Sequence, residues 1–444
     1  MIRGVLARAG ATARGTQTIR RLGWGVGDQA VSSLSNFALG IVIARSLGPA
    51  EFGGFSLAYV TYALVLNASR GLATDPLVVR HSGAVDRGTV DRGKGAAAAS
   101  ATGTAASVGL VAGVICVLVG LALPDTIGPA FVALGVALPF LMLQDAWRFV
   151  FFAAGTPVKA LLNDLFWGVL LLSGVLALHA AGALDVTTAV LAFGATGAAA
   201  AGLGLFQSGV APAPRAVVRW LRTHRDLGSR YLAENLSVGL ARQIRMTTLG
   251  AVAGLAAVGE VRAAELLMGP FLVILMGLSQ VAVPEATQVV RARPDRLGAF
   301  CLVIGGAQAS AAALWGIAVL VLLPFGLGEL LLADLWRPAS VLLPIVVVGM
   351  VAGGLEVGAA TGVRALGAAR RSLSAQLVTS GLYVGGGTVG AIVDGARGSC
   401  IGVTAGTAVA TVVWWIQLRR AIDDRLSGRV PTWAGERIEE GTSA

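Results

Sequence analysis

Arg70, Arg242 and Arg245 each sit in the middle of a long apolar run. A guanidinium at the centre of a bilayer-spanning helix costs about 2.5 to 3.5 kcal/mol on insertion scales, so each one calls for a partner, a polar cavity or a ligand. Arg242 and Arg245 are three residues apart and share one helical face. The planar donor fork of arginine suits phosphate oxygens, so the three make a candidate cationic site for an anionic head group. The other reading is that they pair with acids and lock helices together, with Asp75, Glu234 and Glu356 as the available carboxylates. Asp145 and Arg148, at i and i+3, are expected to satisfy each other.

A second polar feature is Asp28, Ser32, Ser35 and Asn36, which fall at helical spacing on an otherwise apolar segment. Such a stripe either walls a cavity or makes interhelical hydrogen bonds, and Asp28 also suits a helix-end cap. Asp75 and Glu356 are the acids placed for ion coupling. Cys116, Cys301 and Cys400 fall in three different apolar runs, none at metal-ligand or redox spacing, and His81, His179 and His224 lie in connecting segments. No metal site, cofactor, phosphate-binding loop or nucleophile elbow is expected, and catalysis is not the expected role.

The elements that must position these residues follow from composition. Hydrophobic residues make up 55% of the 444 positions and charged residues 13%, which excludes a large soluble domain. Apolar runs long enough to cross a hydrocarbon core of about 30 Å recur along the chain. Twelve spans are expected, near 23–45, 53–80, 96–123, 129–152, 159–179, 187–210, 231–254, 263–287, 297–323, 339–363, 371–393 and 398–418.

The basic residues sort with the alternate connections. With both termini on one side, that side carries 26 of the 34 Lys and Arg, and the other only Arg45, Arg262, Arg337 and Arg397. Both termini are therefore expected in the cytoplasm, and the net charge of +10 records topology rather than a nucleic-acid partner. The expected layout is a basic arm (1–22), a six-helix bundle (23–210), a basic amphipathic connector (211–230), a second six-helix bundle (231–420) and a disordered tail (421–444). Six spans being an even number, the two halves enter the membrane in the same direction, as parallel duplication would require. Weak similarity at a separation of 209 residues, Glu51 over Glu260, points the same way.

"IVIARSLGPAEFGGFSLAY" reads as a short outer hairpin. Gly48 and Pro49 stop the first helix, and Glu51 sits in the first turn of the second, where a helix N-terminus favours an acid. From Ala44 through Gly53 this stretch, with Arg45 in it, resembles the first hairpin of the Wzx-type polysaccharide and lipid-linked oligosaccharide flippases of the multidrug/oligosaccharidyl-lipid/polysaccharide (MOP) exporter superfamily. The resemblance implies an all-α fold of about twelve helices in two six-helix bundles around a central cavity, as in the MATE transporters of that superfamily. It also implies a cargo of polyprenyl pyrophosphate-linked glycan, carried from the inner to the outer leaflet of the plasma membrane by alternating access, with glycan-assembly enzymes as partners beside the bilayer. Arg70, Arg242 and Arg245 would then hold the head group. The competing expectation is a drug or cation antiporter of the same superfamily, or a major-facilitator exporter. For the latter, "GAVDRGTVDRGKG" has the wrong spacing of the signature loop. Across residues 384–390, "VGGGTVG" either loosens span eleven or lets a neighbouring helix come close.

Overall fold

The computed structural model describes residues 31–81 and 91–427; Asp28, the basic arm 1–22 and the tail beyond 427 lie outside the described residues. The described residues are all-α. In the first half, α1 is Val31–Ser46, α2 Pro49–His81, α3 Gly95–Ala122, α4 Gly128–Ala153, α5 Pro157–Ala180 and α6 Val186–Ser208. A short helix, Val217–Thr223, leads into the second half.

There, the helical stretch Arg225–Leu267 is broken at Gly254, whose φ of 88° and ψ of 167° lie far from helical values and favour glycine. It therefore holds two helices, α7 (225–253) and the start of α8 (255–267), which continues as Gly269–Ala292. Next come α9, Leu297–Leu322, and α10, Trp336–Ala365. The stretch Ala369–Leu426 turns at Asp394 and Gly395 (φ 50°), giving α11 (369–393) and α12 (396–426).

Among the described residues twelve helices in two six-helix bundles result, as the hydropathy pattern predicts, nine helical stretches being long and apolar enough to cross a membrane, with one boundary correction and one of register. The turn between α7 and α8 falls at Gly254 rather than between 254 and 263, so "EVRAAE" lies inside α8 and Arg262 is not in an outer loop. Glu51 stands in the first turn of α2, whereas Glu260 is already in the second turn past the Gly254 bend, so the 51/260 register is offset.

In lipid, helices gain little from burying apolar surface against one another, and small residues carry the contact. A Cβ on Gly113 of α3 would overlap the Gly135 carbonyl of α4. The same holds for Gly386 against Gly402 and Gly390 against Gly398, so the "VGGGTVG" run serves the close approach of α11 and α12.

The two bundles meet chiefly along α2, which packs on α7 and α8. At the end of the molecule carrying the short hairpins, a Cβ on Gly53 would overlap the Leu255 carbonyl, and one on Gly259 the Pro49 carbonyl. Arg45 Nη1 donates to Leu330 O at 2.7 Å, tying the first hairpin to the α9–α10 connection. Gly53→Val is expected to hold this hairpin end apart. Labelling of Cys400 by a membrane-impermeant maleimide, with Cys116 and Cys301 replaced by Ala, should then rise several-fold; unchanged labelling would show that the helices close regardless.

At the opposite, connector end, α2 contains a five-residue π-helical segment, Arg70–Thr74. Leu72 O, inside this wide turn, accepts the Trp220 indole N–H of the connector helix at 3.1 Å. Arg80 donates to Thr223 O at 2.9 Å and pairs with Asp226. The connector is thus bolted to α2 through its buried tryptophan, while Arg215, Arg219 and Arg222 stay exposed. That is the pattern of a helix lying at a membrane surface.

Candidate functional site

Between the bundles lies a cavity of about 560 Å³, lined from α1, α2, α4, α5, α7, α8, α10, α11 and α12. The structure brings Arg70, Arg242 and Arg245 together in its wall, with Ser32 and Asn36. Ser35 lines a small recess behind, where the place of Gly168 lets it approach: a Cβ there would overlap Ser35 Oγ. Asp75 and Glu356 line neither space. Asp75 accepts from Asn235 Nδ2 at 3.0 Å, and the Glu356 carboxyl faces Thr379 and Trp414 within the second bundle.

The three arginines have different surroundings. Arg70 makes a two-pronged pair with Asp145, Nη2 to Oδ1 at 2.6 Å and Nε to Oδ2 at 3.0 Å, and its guanidinium lies 5.2 Å from the Phe149 ring centre. This corrects the local reading of Asp145 with Arg148: Asp145 accepts both of these bonds from α2, and Arg148 Nε lies 3.7 Å from Asp164 Oδ2 on α5. Gln144 Nε2 also donates to Asp164 Oδ1, at 2.9 Å. The partner of Arg70 is therefore none of the three acids named from sequence, because helix packing rather than sequence proximity selects it.

Arg245 is 3% exposed and held on every side. Nη1 donates to Glu265 Oε1 at 2.8 Å and to the Tyr383 hydroxyl at 2.9 Å, and Nε donates to Ser399 Oγ at 3.3 Å. Gly387 on α11 leaves room for its stem, since a Cβ there would stand 3.0 Å from Arg245 Cγ. The second oxygen of Glu265 accepts from Arg262 Nη1 at 2.9 Å, so one carboxylate serves two arginines, one on each side of the Gly254 bend. Arg262 Nε is buried and has no hydrogen-bond partner. Arg242, one turn from Arg245, is exposed to the cavity, and among the described residues no carboxylate lies within salt-bridge distance of it.

The cavity is therefore electrically lopsided. On the α2/α4/α5 side, Arg70 and Arg148 face Asp145 and Asp164, one acid to each base. On the α7/α8 side, Arg242, Arg245 and Arg262 line the cavity beside one carboxylate, Glu265, which pairs with the last two, a surplus of two positive charges. In a confined, poorly hydrated space such a surplus attracts an anion strongly.

Sequence reasoning missed Arg262 and Glu265, the acids Asp145 and Asp164 as cavity groups, and the aromatic lining of Tyr59, Tyr62, Trp167 and Tyr383. The signal for the first two was present, since an Arg and a Glu three apart in an apolar run sit on one helical face. For Asn163-Asp164 in "LLNDLFW" the signal was a polar pair inside a span.

No protein-family model and no curated protein matches the chain. Solved structures do. A multidrug resistance MATE family transporter of the MOP superfamily, in its inward-facing conformation, superposes with a TM-score of 0.67 at 15% identity, over 93% of this chain and 96% of that one. Its outward-facing conformation gives 0.60 at 16% identity, over 92% and 95%. A MOP superfamily transporter from Pyrococcus furiosus Vc1, whose reverse polarity of the binding pocket is said to suggest a different function, gives 0.55 at 15% identity, over 92% and 96%. The chain has the fold of the MATE transporters.

Proposed function

We propose that this protein is a flippase of the Wzx type, carrying a lipid-linked, diphosphate-bearing glycan from the inner to the outer leaflet of the plasma membrane by alternating access. The observation that carries the reading is the surplus of two positive charges on the α7/α8 wall, deep among membrane-crossing helices. A diphosphate joined at both ends, as between a polyprenol and a sugar, carries two negative charges, and the surplus would neutralise it. Arg242 is the first contact, since the residue is exposed and lines the cavity, beside the Tyr383 hydroxyl. Arg262, which also lines the cavity, stands as the second cation there. Arg245 acts through Glu265, holding the carboxylate that spaces the wall. Arg70, paired with Asp145, is assigned to holding α2 on α4, which leaves head-group binding to the C-terminal bundle.

The same fold has been solved with either face open, and rocking of two bundles about a central site is the motion that would carry the cargo across. The bias of basic residues supports cytoplasmic termini, hence loading from the connector end. Asp75 and Glu356 are the acids assigned to ion coupling, and they would act through helix packing because neither touches the cavity.

A drug or cation antiporter of the same superfamily is the second reading, favoured by the aromatic lining, which suits an organic cation. Against it, each of the three carboxylates lining the cavity already faces an arginine. Cells with and without the gene separate the two. The flippase reading expects a polyprenyl-linked glycan to accumulate on the inner leaflet when the gene is lost, resolved by mass spectrometry with a membrane-impermeant glycan label. An unchanged lipid-linked pool together with increased drug sensitivity would select the antiporter.

A further inference from the structure

We infer that the N-terminal bundle provides a second subsite in the cavity, for the first sugar of the cargo, distinct from the cationic α7/α8 wall. The inference rests on the reading of the cargo as a diphosphate-linked glycan and goes beyond it by placing the two parts of that cargo on opposite walls. The α2/α4/α5 side is charge-balanced, and a diphosphate brought there would meet Asp145 and Asp164 as well as Arg70 and Arg148. A neutral group meets no such penalty.

What that side offers is the chemistry sugars use. A pyranose presents hydroxyls, which pair with planar amides and carboxylates, and an apolar C–H face, which lies on an aromatic ring. Asn36 and Gln144 supply the amides, Ser32 a hydroxyl, Asp164 a carboxylate and Trp167 the ring, and all five line the cavity. Trp167, Gln144 and Asp164 are held in place. The Trp167 indole N–H donates to Thr196 Oγ1 at 3.2 Å, and the ring packs on Phe193 with centres 5.3 Å apart, which fixes its orientation while it still lines the cavity. The Gln144 bond to Asp164 and the nearby Arg148 fix the carboxylate. The recess behind Ser32, Asn36 and Trp167 encloses only about 10 Å³, so it accommodates no more than a water and leaves these groups to face the main cavity.

Binding of three synthetic ligands to the purified full-length protein tests this: farnesyl diphosphate capped as its methyl ester, so that it carries the same two charges as the others, and farnesyl diphosphate bearing one sugar, as the N-acetylglucosamine and the galactose conjugate. At least one sugar is expected to raise affinity about tenfold, the yield of one or two added hydrogen bonds. Asn36→Ala and Trp167→Leu, the second of which removes the ring while keeping an apolar side chain, should each bring that ratio close to one while leaving farnesyl diphosphate affinity in place. Arg242→Ala should weaken all ligands alike. A ratio of one in the unmodified protein for both sugars, or a sugar preference that neither variant alters, would overturn the subsite. If farnesyl diphosphate binds but no sugar preference exists, only the subsite falls. If no ligand binds, the diphosphate reading falls with it.

Discussion

Arg242→Ala is expected to abolish export while the protein stays in the membrane at its normal abundance and melts at its normal temperature. The residue lines the cavity, is exposed there, and has no ion pair with a described carboxylate, so its removal leaves no buried charge stranded. What is lost is one charge-assisted contact to the cargo, about 1.5 to 3 kcal/mol, or roughly 10- to 100-fold in affinity. Arg242→Lys keeps the charge but not the flat donor fork, and should fall between. Quantitation of lipid-linked glycan on each leaflet, beside immunoblots of membrane fractions, reads both halves of the prediction. Loss of the protein from the membrane would show instead that Arg242 holds the fold.

The opposite split is expected at the other wall. Asp145→Ala should strip the Arg70 guanidinium of both its short hydrogen bonds in a site where the acid's side chain is only 7% exposed. Losing the acid costs about 1.5 to 3 kcal/mol, because the Arg70 charge left behind, 29% exposed on the cavity wall, keeps only part of its hydration. The variant is expected to melt several degrees lower in detergent and to accumulate poorly. Replacing both partners, Arg70→Met with Asp145→Leu, should recover most of the loss, since two apolar groups of similar volume leave nothing unpaired. A double variant that is stable and still exports would place Arg70 in the frame of the protein. One that is stable but inactive would return it to the cargo site, where the sequence alone had put it.

The twelve helices were legible because length and hydropathy are properties of each segment by itself, and lipid enforces both. The boundary at Gly254 was not, since "EVRAAE" looks like a polar outer loop until its arginine and second glutamate are seen to face a cavity. The site was legible to the same extent. Arg70, Arg242 and Arg245 stood out as charges inside spans, and all three reach one cavity. Their partners did not stand out, because Asp145 lies 75 residues from Arg70 and Glu265 lies 20 from Arg245, beyond any rule of local spacing. Asp145 had a plausible mate three residues away in Arg148, and only the packing of α4 against α2 redirects it.

The π-helical segment at Arg70–Thr74 carries a consequence for how α2 can change over time. A π turn holds about one residue more than an α turn, so the helix after it is rotated by roughly 100° relative to an unbroken α-helix. Upstream, Tyr59, Tyr62, Leu66 and Arg70 are aimed into the cavity; downstream, Asp75 meets Asn235 and Arg80 meets Asp226. α2 is in effect two shafts on one axis, coupled out of phase. Removing a single residue between 70 and 74 would bring them into phase and turn the connector's anchoring points away from Trp220 and Asp226, without altering any cavity side chain before Arg70.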